Sequence, residues 1–205
     1  MTRDVVLVPG LWMPGIVLAL LSARLASRGY VAHRFTYRGR EAFDANVERL
    51  AGFVRERLGE RPAHFVGHSL GGVLIFDALN RHRDIKVASV VLLGAPVRGC
   101  CAGLRLGASR FGRWMLGGCA TRWAARGARW QRPEPLGVVA GTIPFGLGRV
   151  LGALPGDNDG VVRVEETSAE GMKARALVAL GHSMLVVSNR VVALMDRFFA
   201  QGRFD

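Results

Sequence analysis

The sequence predicts an α/β fold: a mostly parallel sheet of about six strands, with helices on both faces and a short helical cap. Two observations support this prediction. Apolar segments of strand length alternate with segments whose apolar residues recur at helical spacing, which is typical of a parallel sheet covered on both faces. In mid-chain, a Gly-x-Ser-x-Gly motif at residues 67–71 joins one such strand to one such helix. The 205 residues, half of them apolar, suit a single domain with a large core.

The individual elements follow from local patterns. Strands are predicted where short apolar or alternating runs end at Gly, Pro or polar residues, at 5–8, 31–37, 64–68, 86–93, 136–143 and 175–180. Helices are predicted where apolar residues recur on one face, at 16–28, 44–58 and 185–200, and at 70–80, which is apolar nearly all round and is therefore expected to be buried. Asp44 is expected to cap the second helix, because its carboxylate can accept hydrogen bonds from the free N–H groups of the first turn.

Residues 97–135 do not fit the alternation of strands and helices, and they are too many for an ordinary loop. The segment contains three of the four tryptophans and many glycines. We interpret it as a cap-like insertion, partly helical, above the sheet of the single domain 1–205. Its cysteines, Cys100, Cys101 and Cys119, are expected to be free thiols, because their number is odd and two are adjacent.

The charge of the chain is concentrated in the same segment. The formal net charge is +12, and residues 98–132 hold eight arginines and no acidic residue. Three interpretations are open: a weak contact with an anionic membrane surface, a nucleic-acid contact, or a solvated face. We favour the solvated face, and we expect no nucleic-acid binding because no recognition motif is present.

Targeting and cofactor signals are also absent from the sequence. No basic stretch followed by an apolar run and a cleavage site is seen, and no uncharged apolar stretch is long enough to span a bilayer. We therefore expect a cytoplasmic protein, with peripheral membrane association as the alternative. No Cys/His cluster suggests a metal site, and no cofactor is expected.

The Gly-x-Ser-x-Gly motif predicts a nucleophile. A strand that turns sharply into a helix would hold Ser69 out at the end of the sheet, and glycines at 67 and 71 would permit the close backbone approach. A serine needs a base, and the base needs an orienting acid. His182 follows the last predicted strand, whereas His82 lies about three turns along the helix after Ser69 and is discounted. From the residues alone, Asp159 and Asp157 are both candidates for the acid.

Three short motifs resemble those of small bacterial lipases and esterases of the α/β-hydrolase superfamily, and Gly10, at the end of the first shared strand, is a fourth point of likeness. The motifs are Gly-His-Ser-Leu-Gly-Gly at 67–72, Asn-Asp-Gly-Val-Val at 158–162 and Gly-His-Ser at 181–183. The resemblance spans essentially the whole chain and implies the minimal form of the fold. It implies Asp159 as the acid, and the backbone N–H groups of Leu11 and Leu70 as the oxyanion hole. Lipases usually carry His where this chain has Pro9.

The predicted function is hydrolysis of carboxylic esters, of a small molecule or a lipid, through an acyl-enzyme on Ser69. Trp12, Met13 and His68 are predicted to contact the substrate. One alternative is an acyltransferase or thioesterase that uses the same triad of Ser69, His182 and Asp159. The other is a non-catalytic binding protein that has kept the fold. The fold does not fix the substrate, and the sequence leaves the oligomeric state open.

Overall fold

The computed structural model describes residues 2–124, 127–145 and 154–205. Its centre is a six-stranded parallel sheet with the strand order β2-β1-β3-β4-β5-β6. The strands are Asp4–Val8 (β1), Val31–Arg34 (β2), Ala63–His68 (β3), Val87–Leu93 (β4), Leu136–Gly141 (β5) and Ala174–Val178 (β6). The predicted fold class and strand number are therefore confirmed.

Seven α-helices lie within the described residues: Gly15–Ala26 (α1), Phe43–Leu58 (α2), Leu70–Arg81 (α3), Cys101–Gly107 (α4), Arg110–Leu116 (α5), Met184–Val187 (α6) and Asn189–Gln201 (α7). The described residues also include the 3₁₀ segments Gly117–Trp123 and Val164–Thr167.

The sheet separates two apolar layers, because successive side chains of a strand point to opposite faces. Val6, Phe65 and Leu92 pack on one face with α2, α3 and residues of the 97–135 segment. Val5, Val66 and Val91 pack on the other face with α1, α6 and α7. Burial on both faces explains why the central strands read as apolar runs.

Several predicted boundaries were wrong for local reasons. The second strand ends at Arg34 and not at residue 37, because its only neighbour, β1, ends at Val8 before Pro9, which lacks an N–H group. The closing helix is split into α6 and α7 at Ser188, whose backbone is extended and whose hydroxyl accepts a hydrogen bond from Val191 N–H.

The predicted cap of the second helix was also wrong. The N-cap residue is Ala42, which makes no side-chain capping bond. Asp44 lies inside the first turn, and its carboxylate pairs with the guanidinium of Arg81 at 2.6 Å. The side chain therefore joins α2 to α3 and does not cap α2.

Candidate active site

Ser69 lies at the turn between β3 and α3, at the carboxyl edge of the sheet. Its backbone φ is 51°, a value that non-glycine residues rarely adopt. Neighbouring glycines make this turn sterically feasible. A Cβ on Gly67 would lie 2.6 Å from the backbone nitrogen of Gly72, and a Cβ on Gly71 would overlap the carbonyl groups of Val8 and Pro9. The strained turn thus holds the serine away from regular structure, as strain at functional sites often does.

The connection of β3, Ser69 and α3 is called the elbow below. The turn after β1 lies directly beside it. A Cβ on Gly10 would come within 2.7 Å of His68 Nδ1 and 3.1 Å of Ser69 Cβ, so only glycine fits there. Met13 N–H donates to the Gly10 carbonyl oxygen at 3.3 Å, which closes a turn over Leu11 and Trp12. Trp12 has a φ of 59°, a conformation usually left to glycine. The loop that carries the predicted oxyanion donor Leu11 is therefore tightly placed against Ser69.

A histidine–carboxylate pair lies close to the elbow. His182 Nδ1 is 2.7 Å from Asp159 Oδ2, and both side chains are buried. The other carboxylate oxygen, Oδ1, accepts hydrogen bonds from the N–H groups of Val161 and Val162 at 3.0 and 2.8 Å. His182 N–H also donates to the Asp159 backbone carbonyl oxygen at 2.9 Å. Asp157, by contrast, is exposed, and no contact between it and His182 is seen.

Ser69 and His182 line the same cavity. Among the described residues, no hydrogen bond joins the Ser69 hydroxyl to the His182 ring. Such bonds often tighten only when substrate is bound, so the arrangement remains compatible with proton transfer between the two. The discounted His82 lies elsewhere: its Nε2 is 3.1 Å from Glu48 Oε1.

His68 lies directly behind the histidine–carboxylate pair. Its Nε2–H donates to the His182 carbonyl oxygen at 3.1 Å, and the two rings are 4.6 Å apart. Burial, with the nearby His182 as a second cause, lowers the pKa of His68 well below its ordinary value. His68 is therefore a neutral donor that holds the backbone of His182 in place, although it also lines the cavity.

The cavity has a volume of about 540 Å³ and a predominantly apolar wall. Trp12 and Met13, predicted to contact substrate, both line it, whereas Leu70 is fully buried and can offer only its backbone. Much of the wall comes from the 97–135 segment: Cys100, Ala102, Gly103, Leu106, Leu116 and Trp123. The three cysteines are free thiols, and burial raises the pKa of the Cys100 thiol to about 12.

Sequence reasoning missed part of the wall. Phe145, Met184 and Val187 line the cavity, and Phe145 is 71% exposed at its edge. The position of Met184, two residues after His182, was the available signal, since a loop that brings His182 to the serine must also bring its neighbours. No comparable signal placed Phe145 at the cavity. It follows a predicted strand, and that strand was predicted from hydropathy alone, without a motif that ties its end to the site.

The arginine-rich segment is not one uniform surface. Arg132 is buried, pairs with Glu134 at 3.0 Å and donates to three backbone carbonyl oxygens. Arg129 forms an exposed ion pair. Arg126 and the side chain of Arg122 lie outside the described residues. The arginines that are exposed near α4 and α5 are Arg98, Arg105, Arg110 and Arg113.

The model of the alpha/beta hydrolase family matches residues 5–193. The chain belongs to this family. The comparison with curated proteins found no match. Within the described ranges, no helix has the length and apolarity needed to cross a membrane. In that same part of the chain, no three His, Cys, Asp or Glu side chains are grouped so as to hold a metal ion.

Several solved structures of hydrolase-fold proteins are similar. A bromoperoxidase from Bacillus anthracis has a TM-score of 0.69 at 14% identity, covering 98% of this chain and 92% of that one. A type II thioesterase from the borrelidin biosynthetic cluster has a TM-score of 0.66 at 16% identity, covering 97% and 91%. A metagenomic carboxyl esterase has a TM-score of 0.64 at 20% identity; the match covers 87% of this chain but only 64% of the esterase. These likenesses show the shared fold.

Proposed function

We propose that this protein is a serine hydrolase that cleaves carboxylic esters through a Ser69–His182–Asp159 triad. The observation that carries the proposal is the meeting of three features at one cavity: a strained serine, a buried histidine bonded to a buried carboxylate, and a tight glycine turn beside the serine. Each feature lowers the stability of the fold, and catalysis of acyl transfer uses all three together.

The proposed mechanism assigns one step to each of these groups. Ser69 Oγ attacks the ester carbonyl carbon while the Nε2 atom of His182 takes the hydroxyl proton. Asp159 holds the ring through Nδ1–H and stabilises the positive charge that forms on it. The N–H groups of Leu11 and Leu70 are assigned to the negative oxygen of the tetrahedral intermediate. His182 then donates its proton to the departing alcohol, and water releases the acyl group by the same steps.

The wall and the volume of the cavity favour a particular kind of acyl group. The apolar wall and the volume of about 540 Å³ favour an aliphatic or aromatic acyl chain without charge. Transfer to an acceptor other than water, or cleavage of a thioester, would use the same residues. A carboxyl esterase and a type II thioesterase are both among the similar structures, so a thioester is the second substrate class to examine.

A fluorophosphonate probe tests the proposal. We expect one probe molecule to attach to Ser69 in the wild-type protein, located by peptide mass spectrometry, and none to attach to Ser69→Ala. A series of p-nitrophenyl esters of increasing acyl length should then be hydrolysed by the wild type only. A folded wild-type protein that neither reacts with the probe nor hydrolyses any ester would instead be a binding protein with a hydrolase fold.

A further inference from the structure

A second cavity lies beside the first. Its volume is about 360 Å³, and it shares Leu11 and Trp12 with the larger cavity. Tyr37, Arg40 and Trp114 are among the residues that complete its wall. The turn that carries the proposed oxyanion donor Leu11 therefore separates two cavities. An ester carbonyl held at this turn would have one cavity on each side.

The two walls differ in charge. No Lys, Arg, Asp or Glu is among the described residues that line the larger cavity, whereas Arg40 lines the second. Arg40 lies over the Trp114 ring, with its Cζ atom 4.9 Å from the ring centroid. This contact places the guanidinium at the ring, and no hydrogen bond from it to another described residue is seen.

Carboxylates nearby do not neutralise Arg40. Glu41 is bonded to two other arginines, Arg38 and Arg49, each at 2.9 Å. Among the described residues, no acidic side chain lies within ion-pair distance of Arg40. Tyr37 adds no charge to this wall: its hydroxyl is buried without a hydrogen-bond partner in the described part of the chain, and burial raises its pKa far above the ordinary value, so it stays protonated.

We propose that the second cavity receives the leaving group of the ester, and that Arg40 selects leaving groups that carry a carboxylate or phosphate. The acyl chain occupies the larger apolar cavity, and the anionic group of the alcohol portion pairs with the guanidinium. This inference rests on the proposed hydrolase function, because it places the two halves of one ester on either side of Ser69.

Two matched substrate pairs test the assignment. The first pair is 4-butyryloxybenzoate and its methyl ester, in which the negative charge is on the leaving group. The second pair is phenyl hydrogen adipate and its methyl ester, in which the charge is on the acyl group. For each protein variant, we take the ratio of kcat/KM between charged and neutral substrate. Comparison of this ratio between variants cancels the intrinsic reactivity of the esters.

Arg40→Gln should lower this ratio about five-fold at low salt for the first pair, through KM, and leave the second pair unchanged. Arg40→Lys should restore most of the ratio. Arg57→Gln is the control, because Arg57 also lies over an aromatic ring, that of Phe53, but at the end of α2 remote from Ser69. Its ratio should equal that of the wild type.

The possible failures are distinguishable. If the wild type hydrolyses neither neutral ester, the proposed function falls and this inference falls with it. If hydrolysis proceeds but the first ratio is the same in wild type and Arg40→Gln, only the leaving-group assignment is wrong. If Arg40→Gln lowers both ratios equally, Arg40 acts as a general surface charge and the second cavity has no selective role.

Discussion

Asp159 and Asp157 are separated by one residue, yet only one of them faces His182. The backbone between Asp159 and Val162 turns so tightly that two N–H groups point at one carboxylate oxygen and leave the other for the histidine. Asp157 faces solvent on the outer side of the same turn. The two side chains are chemically identical, and only their surroundings distinguish them.

Asp159→Asn should therefore lower kcat by about 10⁴-fold, because an amide cannot stabilise the imidazolium and favours the wrong tautomer of His182. Asp157→Asn, which makes the same chemical change two residues away, should keep wild-type activity. Initial rates on a p-nitrophenyl ester, with circular dichroism to check folding, measure both. Equal losses in the two variants would show that the acid is misassigned.

Buried neutral histidines should also make stability depend on pH. Burial lowers the pKa of His64 to about 4, and His64 lies at the start of β3, away from Ser69. Below pH 6.5 the unfolded chain binds a proton at this position and the folded chain does not, so the free energy of unfolding falls as the pH falls. The slope is about 1.4 kcal/mol per pH unit for each such histidine, and His68 adds to it.

His64→Gln should reduce this slope between pH 6.5 and 5 while it keeps a polar partner for Ser89, whose hydroxyl lies 2.7 Å from His64 Nδ1. Urea unfolding at several pH values measures the slope. An unchanged slope in the variant would mean that His64 is not the titrating group.

At the scale of elements, the elbow depends on how closely α3 approaches the end of β1. Gly71 lies in the first turn of α3, where a Cβ would overlap the carbonyl groups of Val8 and Pro9. Gly52 lies inside α2, and a Cβ there would meet nothing within 4 Å. Glycine is therefore required for close packing at position 71, whereas the space around position 52 would accept a larger side chain.

Gly71→Ala should destabilise the protein by about 1–3 kcal/mol, since the helix must move away from β1, and should lower activity because Ser69 moves with it. Gly52→Ala should stabilise the protein by about 0.5–1 kcal/mol, because alanine loses less backbone entropy than glycine in a helix. Thermal unfolding of both variants measures the difference. A tolerated alanine at 71 would show that the elbow is not held by this contact.

The sequence predicted the fold class and about six strands because a sheet buried on both faces requires short apolar runs between helices. It did not predict the order of the strands in the sheet, which depends on contacts between remote segments. It predicted Ser69 and His182 as site residues from their positions where strands end, whereas the choice of Asp159 over Asp157 came from the resemblance to lipases and esterases. It did not predict the break at Ser188, because the apolar period continues across it and only the serine side chain marks the new helix start. Asp44 was misjudged because a carboxylate near a helix start can cap or form an ion pair, and the partner Arg81 is distant in sequence.

At the scale of the whole molecule, the second cavity and its neighbourhood depend on contacts between remote segments that no local pattern encodes. Arg40 precedes α2, whereas Trp114 belongs to α5. Aromatic groups near this contact are exposed: Phe111 is 68% exposed and Trp114 is 59% exposed, with their rings 5.9 Å apart. Exposed stacked aromatic rings beside arginines are typical of a surface that contacts a membrane or a partner. They favour such a contact over the solvated face that we favoured from composition alone.

We expect the cap surface formed by Arg110, Phe111 and Trp114 to bind anionic lipid, since apolar rings and basic groups together suit a membrane interface. Wild-type protein should sediment with vesicles that contain phosphatidylglycerol and much less with pure phosphatidylcholine. Phe111→Ser and Arg110→Gln should each weaken this binding, and hydrolysis of a short soluble ester should stay unchanged. Val31→Ser is the control, because Val31 is also exposed but begins β2 at the opposite edge of the sheet.

Added salt should weaken the vesicle binding of the wild type, because exposed charges are screened within about 10 Å at 0.1 M ionic strength. The Arg110→Gln variant should show a smaller salt dependence than Phe111→Ser, since the first substitution removes a charge and the second removes apolar area. Sedimentation at increasing NaCl concentration separates the two contributions. If wild-type protein does not bind anionic vesicles even at low salt, the exposed arginines near α4 and α5 form a solvated face, and Phe111 and Trp114 have no lipid-binding role.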